Sequence, residues 1–184
     1  MVYVFLADGF EELEAVAPVD ILRRLNIDVC TIGIESKYVK SSHGIIITAD
    51  KVMAEADFSD VSAVVLPGGM PGTLNLMNNK KLCDFLMECA EKKVLISALC
   101  AAPSVLLKLG LLKDREFTCY PSFEEGADGI YKKEPLVISE KEFTVITAWG
   151  PGAAYKFSFA LAQYILKDEK TIEALKKSMM MCGE

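Results

Sequence analysis

The chain has 184 residues, of which 52% are hydrophobic and 25% charged, with a formal net charge of −6 at pH 7. A chain of this length most naturally folds as one domain and buries about 70% of the surface that its unfolded form exposes. The acidic balance argues against nucleic acid and anionic membrane as partners, since both need a basic face, and no apolar run reaches the ~20 residues of a membrane span.

The chain opens on an apolar run, Met1-Val2-Tyr3-Val4-Phe5-Leu6, without the basic flank or cleavage site of a signal peptide, so a cytoplasmic location is expected. Val2–Leu6 reads as a buried strand, followed by a turn at Ala7-Asp8-Gly9-Phe10. Residues 11–25 carry Leu13, Val16, Ala17, Val19, Ile21, Leu22 and Leu25 at helical spacing, with Pro18 expected to end, restart or kink the helix. A second strand is expected at 28–34. Tyr38–Lys40 and residues 45–48 read as small strands joined at Ser42-His43-Gly44. Ala63–Leu66 is a third core strand, ending in Pro67-Gly68-Gly69. An amphipathic helix at 81–91 leads to a strand at 94–99. Short strands follow at 116–119, 136–139 and 143–147. Gly150-Pro151-Gly152 then opens a helix at 153–166, with a last one at 171–179. Strands alternating with helices predict an α/β fold, a mostly parallel doubly wound sheet with helices on both faces. Ligands bind such sheets outside the carboxyl ends of the strands. The turn after the first strand, Gly68-Gly69 and Cys100 all fall on that edge.

The strand at 94–99 stops at Cys100, and Ala101-Ala102-Pro103 follow. Ala98 and Ala102 give the small flanks that a nucleophile elbow requires, where strand and helix approach closely. A thiol at a helix N-terminus is expected to have a lowered pKa and to be reactive; the plainer alternative is a buried structural cysteine. The other five cysteines, at 30, 83, 89, 119 and 182, form no CxxC pair. With a single histidine in the chain there is no zinc set either, and reduced, inert thiols are expected, Cys182 among them as exposed. Glu11 and Glu12 are expected on a solvated first helical turn, where acidic residues suit the dipole. Glu14 lies among Leu13, Ala15, Val16 and Ala17 and is expected to point into the cleft. A carboxyl beside a thiolate does not also ionise cheaply, so Glu14 would stay protonated, donate to sulfur and shuttle a proton. Gly68-Gly69 is either a strand-exit turn or, with the N–H of Ala101, an oxyanion hole. His43 reads as part of an exposed turn or as the sole available catalytic histidine. Asp20, Arg23 and Arg24 read as a solvated helix face or a subunit contact.

Ala7-Asp8-Gly9-Phe10-Glu11-Glu12-Leu13-Glu14, Pro18-Val19-Asp20, Arg23-Arg24, Leu66-Pro67-Gly68-Gly69, Ala98-Leu99-Cys100-Ala101-Ala102-Pro103 and Trp149-Gly150-Pro151-Gly152 form an ordered set. On these motifs the chain resembles the ThiJ/PfpI family over nearly its whole length, most closely its parkinsonism-associated deglycase branch. The resemblance implies a flavodoxin-like three-layer sandwich. It implies one ThiJ/PfpI-like (class I glutamine amidotransferase-like) domain over 1–184, a homodimer, and activity without cofactor or metal. It further implies that Cys100 is an oxidation-prone nucleophile, that Glu14 is its protonated partner, and that the N–H groups of Gly69 and Ala101 line the oxyanion site. Many members of the branch place a histidine before the proline that here follows Tyr120, and tyrosine, with a pKa near 10, is a poor base at neutral pH. A Cys–His peptidase mechanism is therefore disfavoured. His43 stands where relatives often carry an arginine, and is expected to approach Cys100 across the dimer interface. The activity expected is that of a cysteine enzyme acting on a small-molecule carbonyl substrate, a reactive dicarbonyl or glycated amine. A non-enzymatic redox sensor or chaperone is the alternative, and a cysteine hydrolase or peptidase the third reading.

Overall fold

A computed structural model describes residues 1–181; Cys182 lies outside them. In chain order the principal elements are β1 (Val2–Leu6), α1 (Glu12–Arg24), β2 (Val29–Gly33), β3 (Tyr38–Lys40), β4 (Ile46–Thr48), β5 (Lys51–Val52) and β6 (Ala63–Leu66). There follow α2 (Gly72–Asn78), α3 (Lys80–Glu91), β7 (Leu95–Leu99), α4 (Pro103–Lys108), β8 (Glu116–Phe117), β9 (Ile130–Tyr131), β10 (Leu136–Glu140), β11 (Thr144–Ala148), α5 (Ala154–Leu166) and α6 (Glu169–Ser178).

Seven strands form the central sheet in the order β10-β11-β7-β6-β1-β2-β5. All neighbours run parallel except β10, which pairs antiparallel with β11. The chain leaves β1 toward β2 on one side and returns on the other to β6, so the strand order reverses between β1 and β6. The carboxyl end of such a reversal is where an open α/β sheet leaves a crevice. Alternate residues of each strand feed opposite cores. Tyr3, Phe5, Val64, Leu66, Ile96 and Ala98 meet Leu76, Leu82, Leu86, Val105 and Leu106 of α2, α3 and α4. Val2, Val4, Leu6, Ala63, Val65 and Leu99 meet Ile21 and Leu22 of α1 and Phe157 and Leu161 of α5. The result is the flavodoxin-like three-layer α/β sandwich.

Three local expectations change. α1 runs unbroken through Pro18, which is buried with Ala15, Ala17, Ile21 and Leu22. The proline removes one intrahelical hydrogen bond, and the buried face on either side of it holds the helix together. α2 was not expected, because Gly68-Gly69-Met70-Pro71-Gly72 reads as loop; Thr73 and Leu76 nevertheless anchor a short helix against the sheet. The strand expected at 116–119 is only Glu116–Phe117, because the Thr118 N–H donates to the Thr147 hydroxyl at 2.9 Å instead of extending a ladder. No helix among the described residues is long and apolar enough to cross a membrane.

Candidate active site

Cys100 adopts φ 59°, in the left-handed region that a non-glycine residue enters only under constraint. Backbone hydrogen bonds hold it there from both sides. Its N–H donates to the carbonyl of Ala148 at the end of β11, and its carbonyl accepts from the Tyr120 N–H, both at 2.8 Å. Ala98 and Ala102 are fully buried beside it, as the elbow requires.

Three strand exits converge on this turn. Gly68 follows β6, and a Cβ there would stand 2.7 Å from the Cβ of Cys100 and 2.9 Å from Oε2 of Glu14, so only glycine lets them meet. Gly69 takes φ 88° and directs its N–H at the Cys100 sulfur, as does Ala101. Glu14 reaches in from the first turn of α1, where Glu11 caps the helix by accepting from the Glu14 N–H at 2.8 Å. The Glu14 side chain is wholly buried, and its Oε2 accepts from the Gly68 N–H at 2.7 Å. Its Oε1 has no hydrogen-bond partner. The carboxyl and the Cys100 thiol are close enough that each shifts the other.

Burial pushes the Glu14 carboxyl up to about 7, against the Gly68 N–H, which favours the ionised form. Burial, followed by the charge of Glu14, pushes the Cys100 thiol up to about 12, against the N–H groups of Ala101 and Gly69. The lowered thiol pKa expected from a helix N-terminus is therefore not found. α4 begins only at Pro103 and ends at Lys108, so it supplies a weak dipole, and desolvation beside a carboxylate outweighs it. The two groups titrate as a pair. With the proton on Glu14, the charge opposing a thiolate is gone and both N–H groups still face the sulfur.

Glu12 does not lie on a solvated turn. It is buried, because the β3–β4 hairpin folds over it. Its oxygens accept from the Ser41 hydroxyl, from the His43 N–H at 2.9 Å and from the His43 ring at 2.9 Å. Desolvation raises its pKa, but the His43 and Ser41 donors outweigh that and bring it down to about 2. His43 itself is exposed, and the hydrogen bond and charge of Glu12 raise its pKa above the ordinary 6.5. The groups that act most on the Cys100 thiol within one protomer are Glu14 and the N–H groups of Ala101 and Gly69, not His43 or the Tyr120 hydroxyl. The Tyr120 ring instead lies against Gly150 and Phe123. Glu11, Glu12 and His43 could converge on a metal among the described residues, but the first two are engaged as acceptors, of a helix-capping N–H and of the hairpin donors. Asp20 and Arg23 form exposed ion pairs with Arg24 and Asp50. Cys30, Cys89 and Cys119 are buried with thiols pushed up by burial, which suits the inert role expected of them. Two concavities, of about 730 Å³ between α5 and α6 and about 280 Å³ between α1 and β2, include neither Cys100 nor Glu14.

A profile of the DJ-1/PfpI family matches residues 1–164. The chain belongs to the DJ-1/PfpI family. It is 35% identical over 175 residues to protein dj-1beta of Drosophila melanogaster, spanning 94% of this chain and 93% of that one. It is 30% identical over 168 residues to a glutathione-independent glyoxalase of Caenorhabditis elegans, spanning 90% of this chain and 88% of that one. Its fold matches the crystal structure of a mutant DJ-1 superfamily protein from Salmonella typhimurium with a TM-score of 0.91, at 35% identity and 97% of each chain. Nothing in the sequence of this DJ-1/PfpI protein marked Ser41, Ala148 or the backbone role of Tyr120, because each acts through a contact distant along the chain.

Proposed function

We propose that this protein is a cofactor-independent glyoxalase-type enzyme whose Cys100 adds to the aldehyde carbon of small α-oxoaldehydes. The observation that carries the proposal is the left-handed Cys100, with two backbone N–H groups at its sulfur and a buried Glu14 carboxyl oxygen left without a partner. The glutathione-independent glyoxalase among its relatives supports the same chemistry.

Proton transfer from the thiol to Glu14 yields the nucleophile, so a thiol pushed up by burial is activated as substrate binds. Addition gives a hemithioacetal, whose oxygen faces the N–H groups of Gly69 and Ala101. Glu14 returns its proton to that oxygen, then as a carboxylate takes the C1 proton and delivers it to the neighbouring carbon, while the hydroxyl proton passes to the C2 oxygen. C1 is oxidised and C2 reduced, so no outside oxidant is needed. Water cleaves the resulting thioester, releasing a hydroxy acid and restoring the thiol. An early glycation adduct, a hemiaminal, would release its amine as its C1–N bond breaks and the aldehyde re-forms, and Cys100 would then add to that aldehyde. The exposed Leu13 and Val16 of α1 and Ile45 and Ile46 of the hairpin suit a homodimer contact, which would carry the adjacent His43 toward a partner's site.

Lactate formation from methylglyoxal by the wild type and by Cys100→Ser tests the proposal. Equal rates, or none in either, would remove it. A second reading, a sensor in which Cys100 oxidises to sulfinate, is favoured by the same unpartnered Oε1, which as an acid can donate to an oxygen on sulfur. Mass spectrometry after peroxide should then find two oxygens on Cys100 alone, and scattered oxidation would refute it.

A further inference from the structure

We infer that the site selects neutral α-oxoaldehydes bearing an aryl group over those bearing an anionic group, an inference that rests on the glyoxalase-type reading above. Three large exposed side chains stand on the turns that hold the elbow. Met70, Tyr120 and Trp149 are 45%, 50% and 42% exposed. Each stands at a backbone position that touches Cys100 or adjoins one that does. Met70 follows Gly69, whose N–H faces the sulfur. Tyr120 donates its own N–H to the Cys100 carbonyl, and Trp149 follows Ala148, whose carbonyl accepts from the Cys100 N–H. The Tyr120 ring lies 3.5 Å from where a Cβ at Gly150 would be, so the tyrosine adjoins the turn that carries Trp149. A flat apolar group attached to a carbonyl held at Cys100 would remove this aromatic surface from water, which a methyl group does far less.

Charge points the same way. The charged side chain that acts most strongly on the thiol is Glu14. Glu124 and Glu125 follow on the loop after Tyr120. A carboxylate or phosphate on the substrate would approach these acidic groups, and Met70, Tyr120 and Trp149 offer it no positive charge in return for its hydration. The Met70, Tyr120 and Trp149 side chains thus bind substrate substituents and act on no reacting atom.

The test compares kcat/KM for phenylglyoxal, 4-carboxyphenylglyoxal and methylglyoxal in the wild type, Trp149→Ala, Trp149→Phe and Tyr120→Ala. Phenylglyoxal should exceed both others by about tenfold, the scale of one aromatic contact. The phenylglyoxal-to-methylglyoxal ratio should fall about tenfold in Trp149→Ala and return in Trp149→Phe. Ratios unchanged by these substitutions, or equal turnover of the neutral and carboxylated aryl substrates, would overturn the inference. Should no oxoaldehyde be turned over, the catalytic proposal fails and the mouth is tested by binding alone. Trp149 is the only tryptophan in the chain, so its fluorescence reports on the mouth without interference. Saturable quenching by the neutral aryl ketol 2-hydroxyacetophenone, weakened in Tyr120→Ala and absent with hydroxyacetone, supports the aryl site. No saturable change overturns it.

Discussion

Glu12 and Glu14 stand two residues apart in the first turn of α1, both buried, and their acidities move in opposite directions, to about 2 and about 7. A separation of two turns the side chains to opposite sides of a helix, so one meets the β3–β4 hairpin and the other the Cys100 elbow. Both lose water. The hairpin returns several donors to Glu12, namely the Ser41 hydroxyl, the His43 N–H and the His43 ring. The elbow returns one N–H to Glu14, from Gly68, and beyond it only the weak donor of the Cys100 thiol. Burial alone therefore does not set a carboxyl's charge; the number of donors that accompany burial does. On one side the helix carries a fixed anion that fastens a hairpin, and on the other an acid poised to exchange a proton.

The largest expected effect separates the two by chemistry. Glu14→Gln keeps an acceptor for the Gly68 N–H but has no proton to exchange, and should lower kcat for lactate formation about a hundred- to a thousandfold. Glu12→Gln should change it by less than about threefold. Similar losses in both would mean that the first turn acts as a structural unit and that Glu14 has no distinct role.

The next effect is on stability. Because the folded-state pKa of Glu14 is raised from 4.5 to about 7, the fold prefers the neutral acid. The stability it contributes is complete below about pH 4.5 and is lost as pH rises through 7, a loss of about 3 kcal/mol. Glu14→Gln has no such loss, so urea unfolding at pH 5 and pH 8 should show the variant gaining on the wild type by about that amount. A gap that stays constant with pH would place the proton elsewhere.

The elbow was legible in the sequence because its requirements are local. Ala98, Ala102 and the glycine pair are steric conditions written beside Cys100, and Glu14 stands out among apolar neighbours in its own turn. The sheet was legible because its strands are short apolar runs set between turns. The acidity of Cys100 was not, since it depends on desolvation and on a carboxylate brought from α1. Nor was Glu12, whose donors at Ser41 and His43 come from a hairpin about thirty residues on. α2 escaped because its first turn is written in glycine and proline, which read as loop until the sheet beneath Thr73 and Leu76 is known.

The hairpin side yields the smaller effects. Glu12→Ala leaves the buried Ser41 hydroxyl and the His43 N–H without their acceptor, and should destabilise the protein by about 2 kcal/mol. Faster hydrogen exchange should be confined to the hairpin amides. The lowered pKa of Glu12 means that its contribution is present above about pH 4.5 and is lost as pH falls toward 2. The charge on His43 works the other way: its raised pKa adds stability that is complete below 6.5 and disappears as pH rises through the raised value.

The last expectation uses the fact that His43 is the chain's only histidine, so its ring resonances need no assignment. Its NMR titration midpoint should lie above 6.5 in the wild type and return toward 6.5 in Glu12→Gln, because the hydrogen bond and charge of Glu12 raise it. Cys100→Ser should leave that midpoint unmoved if His43 answers to Glu12 alone. A shift in Cys100→Ser that vanishes on dilution to monomer would instead bring His43 to a partner's thiol, and would join the two sides of α1 through the dimer.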